Sequence, residues 1–275
     1  MKKYNTVLSI AGSDSGGGAG IQADIKAISA CHCYSATAIT AVTVQNTVGV
    51  SDVAPVPVPA IEGQIKAVLE DIGADAVKIG MLHSSEVVES VATQLRHYLS
   101  TGQAHNVVLD PVMVSTSGHR LIEQSAISAL LSDLIPLARV ITPNIPEAEI
   151  LLGEQMKLTT NAQLREAVRA LAQRTGTSVL LKAGHLLDED TLVDFLWDNE
   201  LKQIVELPAR RIDTPNTHGT GCTLSSAFAA HLAHGLNLKE AALSAKRYLN
   251  DALVAGAEYR IGHGHGPVHH FYNLK

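Results

Sequence analysis

Short apolar runs alternate along this chain with segments whose apolar positions recur at helical spacing. TVLSIAG predicts a strand, and the glycine-rich turn after it leads into IQADIKAISA, where Ile21, Ile25 and Ile28 share one helical face. TAITAVTVQN predicts a second strand. PAIEGQIKAVLEDIG predicts a helix with Ile61, Ile65, Val68 and Ile72 aligned. AVKIGML reads as a strand, and SSEVVESVATQLRHYL as a helix capped by Ser84 or Ser85. NVVLD is a strand stopped by Pro111, SAISALLSDLIPLA a helix, RVITPN a strand and PEAEILLG a short helix. TNAQLREAVRALAQRTG carries a capping box, Thr160 to Gln163, with Gly176 beyond its end. SVLLKAG is a strand. TLVDFLWDNELKQIVELPA alternates in two arms around Asp198-Asn199 and predicts a hairpin. Residues 239–258 form the last helix.

This alternation implies an α/β fold of three layers: a doubly wound, mostly parallel sheet with helices on both faces and a small β-hairpin in the C-terminal third. No internal repeat, low-complexity linker or break divides residues 1–275, so a single domain is expected. In such sheets ligands sit at the carboxyl ends of the strands. The residues just after the predicted strands are Gly12 to Gly20, Gln45, Lys78 to Met81, Asp110, Asn144, Glu147 and Lys182 to His185. They are expected to converge on one edge.

Composition narrows the class. Hydrophobic residues make up 46% and aromatics only 4% of the 275 residues, so the core is aliphatic, which suits parallel strands between helices. The net charge of −6 and the lack of a long basic run argue against nucleic acid as a partner. A phosphate-bearing ligand therefore needs local donors. Three cysteines, Cys31, Cys33 and Cys222, suit a reducing compartment better than a disulfide scaffold. The first apolar run is too short for a signal peptide and no run is long enough to span a membrane, so a cytoplasmic protein is expected.

Two glycine clusters carry candidate chemistry. AGSDSGGGAGIQAD is strand, loop and helix, but it is neither a dinucleotide fingerprint, since Ile21 stands where a glycine is needed, nor a P-loop, since no GK[ST] follows. It is either a flexible turn or a place where backbone approaches a ligand. In Thr217-His218-Gly219-Thr220-Gly221-Cys222 the glycines let successive amides point one way, and the helix that follows adds its positive end. Leu224, Ala227, Phe228 and Leu232 supply that helix with a buried stripe. A cysteine at a helix start is expected to have a lowered thiol pKa, which makes Cys222 a candidate base or nucleophile. A glycine turn with an inert buried cysteine is the plainer alternative. The tail GHGHGPVHH, with His263, His265, His269 and His270, matches no defensible zinc spacing, and Cys31-His32-Cys33 reads as packing.

SIAGSDSGGGAGIQADIK and NTHGTGCTLSSA, with AITAVTVQNT, KIGML, VVLDPVM, ITPNIPEAE, LKAGH and GHGHGPVHHF between and after them, resemble the ribokinase-like superfamily. Within it the chain is similar, over essentially its whole length, to the hydroxymethylpyrimidine/phosphomethylpyrimidine kinases of thiamine biosynthesis. Each motif alone is modest; their order makes the likeness specific. The resemblance implies transfer of a phosphoryl group from ATP, with Mg²⁺, to 4-amino-5-hydroxymethyl-2-methylpyrimidine, and a second transfer to the monophosphate. It also suggests a homodimer, for which the hairpin near residues 191–207 is one surface.

The same resemblance implies roles. Gly219, Thr220, Gly221 and Cys222 give amides to the transferring group, and Lys182 lies near the ATP phosphates. Asp110 and Glu147 organise Mg²⁺ through water with Asn144, beside Thr217; no direct protein ligand to the metal is assigned. The competing reading of Glu147 is an acid that favours a helix start. Gln45 reads the pyrimidine, its oxygen toward the 4-amino group and its nitrogen toward a ring nitrogen. Gly12 lets backbone meet the ring, Met81 covers it, and Asp24 touches substrate or merely caps. Cys222 stands where sugar kinases of the superfamily carry an aspartate; a carboxylate there would repel a phosphate monoester as acceptor. Two other readings stand beside this one: a pyridoxine/pyridoxal or dual-specificity kinase, and a non-catalytic small-molecule sensor on the same fold.

Overall fold

Along the central strands, successive side chains enter two different apolar layers. Leu8, Ile10, Val77, Ile79, Val107 and Leu109 fill one; Val7, Ala76, Val108, Val140 and Leu180 fill the other. That period of two is what a strand covered on both faces requires. The computed structural model describes residues 2–113, 124–153, 157–184 and 191–274; the predicted strand-end residue His185 lies outside them.

The described strands are β1 (Thr6–Asp14), β2 (Tyr34–Gln45), β3 (Val50–Pro55), β4 (Ala76–Ile79), β5 (Val107–Leu109), β6 (Val140–Ile141), β7 (Ser178–Leu181), β8 (Thr191–Asp198) and β9 (Gln203–Arg210). They form one sheet in the order β3-β2-β1-β4-β5-β6-β7-β8-β9. The six strands from β2 to β7 in that order run parallel, while β3, β8 and β9 pair antiparallel with their neighbours. The helices are α1 (Gly20–Ala30), α2 (Val58–Asp71), α3 (Ser85–Ser100), α4 (Gln124–Ala129), α5 (Ile145–Leu152), α6 (Asn161–Thr175), α7 (Thr220–Ala233) and α8 (Leu238–Gly256). The layer with Leu8 packs under α2 to α6, and the layer with Val7 under α1, α7 and α8. The chain leaves β1 for β2 on one side and returns to β4 on the other, so the strand order reverses beside β1. A crevice opens at such a point.

Local signals explain most boundaries. Ser84 accepts from the Val87 amide at the start of α3, and Thr160 and Gln163 close a reciprocal box at α6, which ends on left-handed Gly176. Asp198 accepts from the amides of Glu200 and Leu201 and so turns the β8–β9 hairpin. Three expectations change. Ile25 is 39% exposed, because α1 buries Ile21, Asp24 and Ile28 instead. Ile72 falls past the end of α2 and is exposed, with Leu69 taking its place inside. The segment after α4 is not one helix: it widens to a π turn over Leu130–Leu134 and tightens to a 3₁₀ turn at Ile135–Leu137, where Pro136 has no amide hydrogen to give. The edge strand β3 was not predicted. Among the described residues, no helix is long and apolar enough to cross a membrane.

Candidate active site

The carboxyl ends of β1, β2, β4, β5 and β7 and the start of α7 surround a cavity of about 630 Å³. Gly12, Gln45, Met81, Asp110, Asn144, Glu147, Lys182, Thr217, Gly219, Thr220, Gly221 and Cys222 all line it. Of the site residues expected from the sequence, only Asp24 is absent from its wall.

The two glycine clusters meet here. Gly219 caps α7 with φ of 77°, and a Cβ on it would overlap the carbonyl oxygen of Gly18, so the close approach and the left-handed turn both demand glycine. The Thr220 amide donates to Thr217 O at 3.3 Å and the Thr223 amide to Gly219 O at 2.8 Å. Among the described residues, the amides of Gly221 and Cys222 have no protein acceptor; they are the orphan donors of a helix start, aimed at the cavity with its dipole behind them. The expectation of four donating amides is thus corrected at Thr220, whose hydrogen is committed to the turn. Across from them, a Cβ placed on Gly221 would stand 3.3 Å from Lys182 Nζ and 3.6 Å from Asp110 Oδ2.

Lys182 Nζ donates to Asp110 Oδ1 at 2.8 Å, and Thr142 Oγ1 donates to the same oxygen at 3.0 Å. Burial opposes the charge on Asp110, but the Lys182 and Lys78 ammoniums and these donors hold its carboxyl below the usual range. Glu147 behaves otherwise. Burial pushes its pKa up to about 7, against the pull of Lys182 and with the help of Asp110. Its Oε2 accepts from the Asn144 amide at 2.8 Å while Asn144 Oδ1 accepts from the Glu147 amide at 2.9 Å. Asn144 and Glu147 are therefore also the capping box of α5, which puts Glu147 at a helix start and occupies the Asn144 oxygen.

The expected low thiol pKa at Cys222 is corrected. Burial raises it to about 11, and the carboxylates of Asp24 and Asp110 add to this, outweighing the Lys78 ammonium and the Gly20 amide hydrogen bond that favour the thiolate. A helix start lowers a thiol pKa only where burial does not cost more.

On the acceptor side, Thr43 Oγ1 lies 3.0 Å from Gln45 Oε1 and 2.9 Å from Ser13 O. His218 Nε2 lies 2.9 Å from Asp14 Oδ2 and 3.3 Å from Gln45 Nε2. One hydroxyl proton cannot serve two acceptors, and a ring nitrogen donating to Asp14 cannot accept from Gln45. Turning the Gln45 amide over lets Nε2 donate to Thr43 Oγ1 while that hydroxyl donates to Ser13 O, and it leaves the His218 Nε2 proton to the nearer Asp14.

The sequence placed Asp14 and Lys78 near strand ends and His218 in the second glycine cluster, but gave none of the three a role. Asp14 accepts from the amides of Gly16, Gly18 and Ala19 at 2.8, 3.0 and 2.8 Å and pairs with His218, which closes the first glycine loop. Burial opposes its charge, yet these donors hold it below the usual carboxylate range. An aspartate just before a glycine run is an Asx-turn signal that was there to be read. Asp24 lies beneath the cavity floor: Lys78 Nζ is 2.9 Å from both its oxygens, and Ser9 and Ser226 donate to it at 2.6 and 2.7 Å. All its oxygens are thereby used within the protein.

Comparison with known proteins agrees with this geometry. The profile of the phosphomethylpyrimidine kinase family matches residues 14–269. A hydroxymethylpyrimidine/phosphomethylpyrimidine kinase of Rhizobium meliloti is 46% identical over 96% of this chain and 96% of its own. Among solved structures, a phosphomethylpyrimidine kinase from Clostridium difficile superposes with a TM-score of 0.77 at 40% identity, covering 90% of this chain and 99% of that one. A pyridoxal kinase from Staphylococcus aureus in complex with AMP-PCP and pyridoxal superposes with a TM-score of 0.87 at 33% identity, covering 99% and 96%.

Proposed function

The chain belongs to the phosphomethylpyrimidine kinase family, and from that membership and the cavity we propose that it phosphorylates 4-amino-5-hydroxymethyl-2-methylpyrimidine with ATP, then phosphorylates the monophosphate to the diphosphate, in thiamine biosynthesis. One observation carries this reading: the unpartnered amides of Gly221 and Cys222 and the Lys182 ammonium line the same cavity, which gathers there the donors that a phosphoryl group in transfer needs.

In each transfer an oxygen of the acceptor bonds to the γ-phosphorus, and the bond from that phosphorus to the β–γ bridging oxygen breaks, so ADP leaves with the electron pair; in the first transfer the alcohol's proton passes to solvent water, and in the second the monophosphate dianion has no proton to lose. The transition state is loose, so positioning and charge matter more than a strong base. The Gly221 and Cys222 amides and Lys182 take up the charge on the equatorial oxygens. Gln45 holds the pyrimidine edge, Gly12 admits the ring beside the backbone, and Met81 lies over it. Cys222 meets the acceptor oxygen as a neutral thiol, which explains how one site accepts first an alcohol and then an anion. The residues present fit magnesium: Asp110 and Glu147 are buried carboxylates that line the same cavity. That suits an ion that keeps its water and the nucleotide's phosphates as ligands. Bound there, it would neutralise phosphate charge.

We also propose a cytoplasmic homodimer; the three free thiols suit a reducing compartment. Light scattering on the purified protein tests the dimer. The activity is tested by supplying ATP with the pyrimidine alcohol, the pyrimidine monophosphate or pyridoxal and following ADP and product mass. The reading predicts turnover of both pyrimidines. Turnover of pyridoxal alone would replace it with the vitamin B6 kinase that the superposition makes the second choice, and no turnover of any would leave a sensor.

A further inference from the structure

The histidine- and glycine-rich tail is not absorbed by the chemistry above, yet its backbone touches both halves of the site. Past α8, Asn216 Nδ2 donates to Gly256 O at 2.8 Å and to Tyr259 O at 2.7 Å, which fastens the start of the tail beside the loop that leads into α7. The chain then crosses to the turn after β2. There the amides of His263 and Gly264 both donate to Thr47 Oγ1 at 3.2 Å, and the His265 amide donates to Thr47 O at 2.9 Å. It returns at once: the His218 amide donates to Gly266 O at 3.0 Å, and His218 and Pro267 pair as a short parallel bridge. His270 Nε2 ends the crossing 3.0 Å from Thr223 Oγ1, whose hydroxyl donates to Gly219 O at 2.8 Å. The walls are tight. A Cβ on Gly264 would overlap the Thr47 carbonyl, and one on Gly266 would overlap the Asn216 side-chain oxygen.

Thr47 is two residues beyond Gln45, and His218 is one residue before Gly219. We propose that residues 262–267 are a positioning strap that ties the Gln45 end of β2 to the Gly219–Cys222 turn, with Thr47 and His218 as its two attachment points. The strap sets the separation between the acceptor and the group it attacks. Its consequence for catalysis rests on the kinase reading above; the tie itself does not. None of its members touches the reacting atoms, so they are positioning residues.

The test removes one attachment point and reads the other. Thr47→Val deletes the hydroxyl that two tail amides share and keeps the shape; Thr47→Ser restores it. Hydrogen exchange of the amides of residues 216–222 is measured without ligand. The strap predicts exchange roughly tenfold faster in Thr47→Val and near wild type in Thr47→Ser. Gly264→Ala, which displaces the tail instead of untying it, is expected to act in the same direction. In turnover, Thr47→Val is expected to lower kcat/KM for the pyrimidine roughly tenfold while the affinity for a non-hydrolysable ATP analogue stays within about twofold. Unchanged exchange at residues 216–222 would overturn the tie. Faster exchange with unchanged turnover would overturn its role in positioning. Wild-type protein that turns over no pyrimidine would defeat the kinase reading alone, because exchange would still decide the strap.

Discussion

Lys182 Nζ stands 2.8 Å from Asp110 Oδ1, and a Cβ on Gly221 would meet the ammonium at 3.3 Å and the carboxylate at 3.6 Å. The carboxylate keeps the ammonium charged and held at the wall of the cavity that the orphan amides of α7 also line. Lys182→Met is expected to lower kcat roughly 100-fold or more, the scale of losing one preorganised donor to a transferring group. It also strands a buried carboxylate, at a cost of about 3–5 kcal/mol. The double variant Lys182→Met with Asp110→Asn separates these effects: urea unfolding should recover most of the lost stability while kcat stays low. Recovery of kcat along with stability would make Lys182 a partner of Asp110 only.

Cys222 should discriminate between the two acceptors. In Cys222→Asp the first transfer, to an uncharged alcohol, is expected to survive better than the second, because two charges about 4 Å apart repel by roughly 4 kcal/mol at an effective dielectric near 20. Steady-state assays with the alcohol and the monophosphate supplied separately should show the ratio of second to first kcat/KM falling by at least about tenfold. An unchanged ratio would defeat the charge argument.

Much of this site was legible because its donors are backbone amides, and glycine at a strand or helix end announces them. Gln45, Asp110, Asn144 and Lys182 were readable for a related reason: each polar residue ends an apolar run, and the ends of parallel strands share one edge. The buried pairing of Asp24 with Lys78 escaped. Ile21, Ile25 and Ile28 fit a helical stripe as well as the true buried face does, and an aspartate between isoleucines looks solvent-facing until a lysine 54 residues away covers it. The Asp14–His218 pair spans 204 residues and leaves no local trace. Strand β3 was missed because Asp52 and Pro55 interrupt its apolar pattern, as an exposed edge strand tolerates.

The buried ion pair beneath the floor carries its own prediction. Asp24→Asn leaves the Lys78 ammonium buried without its partner, so a loss of about 3–5 kcal/mol is expected in urea unfolding. KM for the pyrimidine should move little in the protein that remains folded, since Ser9, Ser226 and Lys78 occupy both carboxylate oxygens. Replacing the pair together, as Asp24→Leu with Lys78→Met, should recover a large part of the stability. A raised pyrimidine KM with unchanged stability in Asp24→Asn would return Asp24 to the substrate contacts.

His270 gives the fold a dependence on pH that can be isolated. Burial, then the charges of Lys26 and His269, lower its pKa to about 4 from the usual 6.5, against a backbone hydrogen bond to Val268 that favours the proton. Because the Thr223 hydroxyl donates to Gly219 O, the contact between Thr223 and His270 is completed by a hydrogen on Nε2 of the neutral ring. The unfolded chain binds a proton at this histidine more readily than the folded one. Its contribution is therefore fully present above pH 6.5 and is lost as the pH falls toward 4. The difference in unfolding free energy between wild type and His270→Gln should be level above pH 6.5 and shrink below it, by no more than about 1.4 kcal/mol per pH unit for one proton. His231 shifts in the same direction but is present in both proteins, so it cancels in the difference. A difference that stayed level down to pH 4 would mean that the ring takes up its proton within the fold, and the neutral link from the tail to Thr223 and Gly219 would then be wrong.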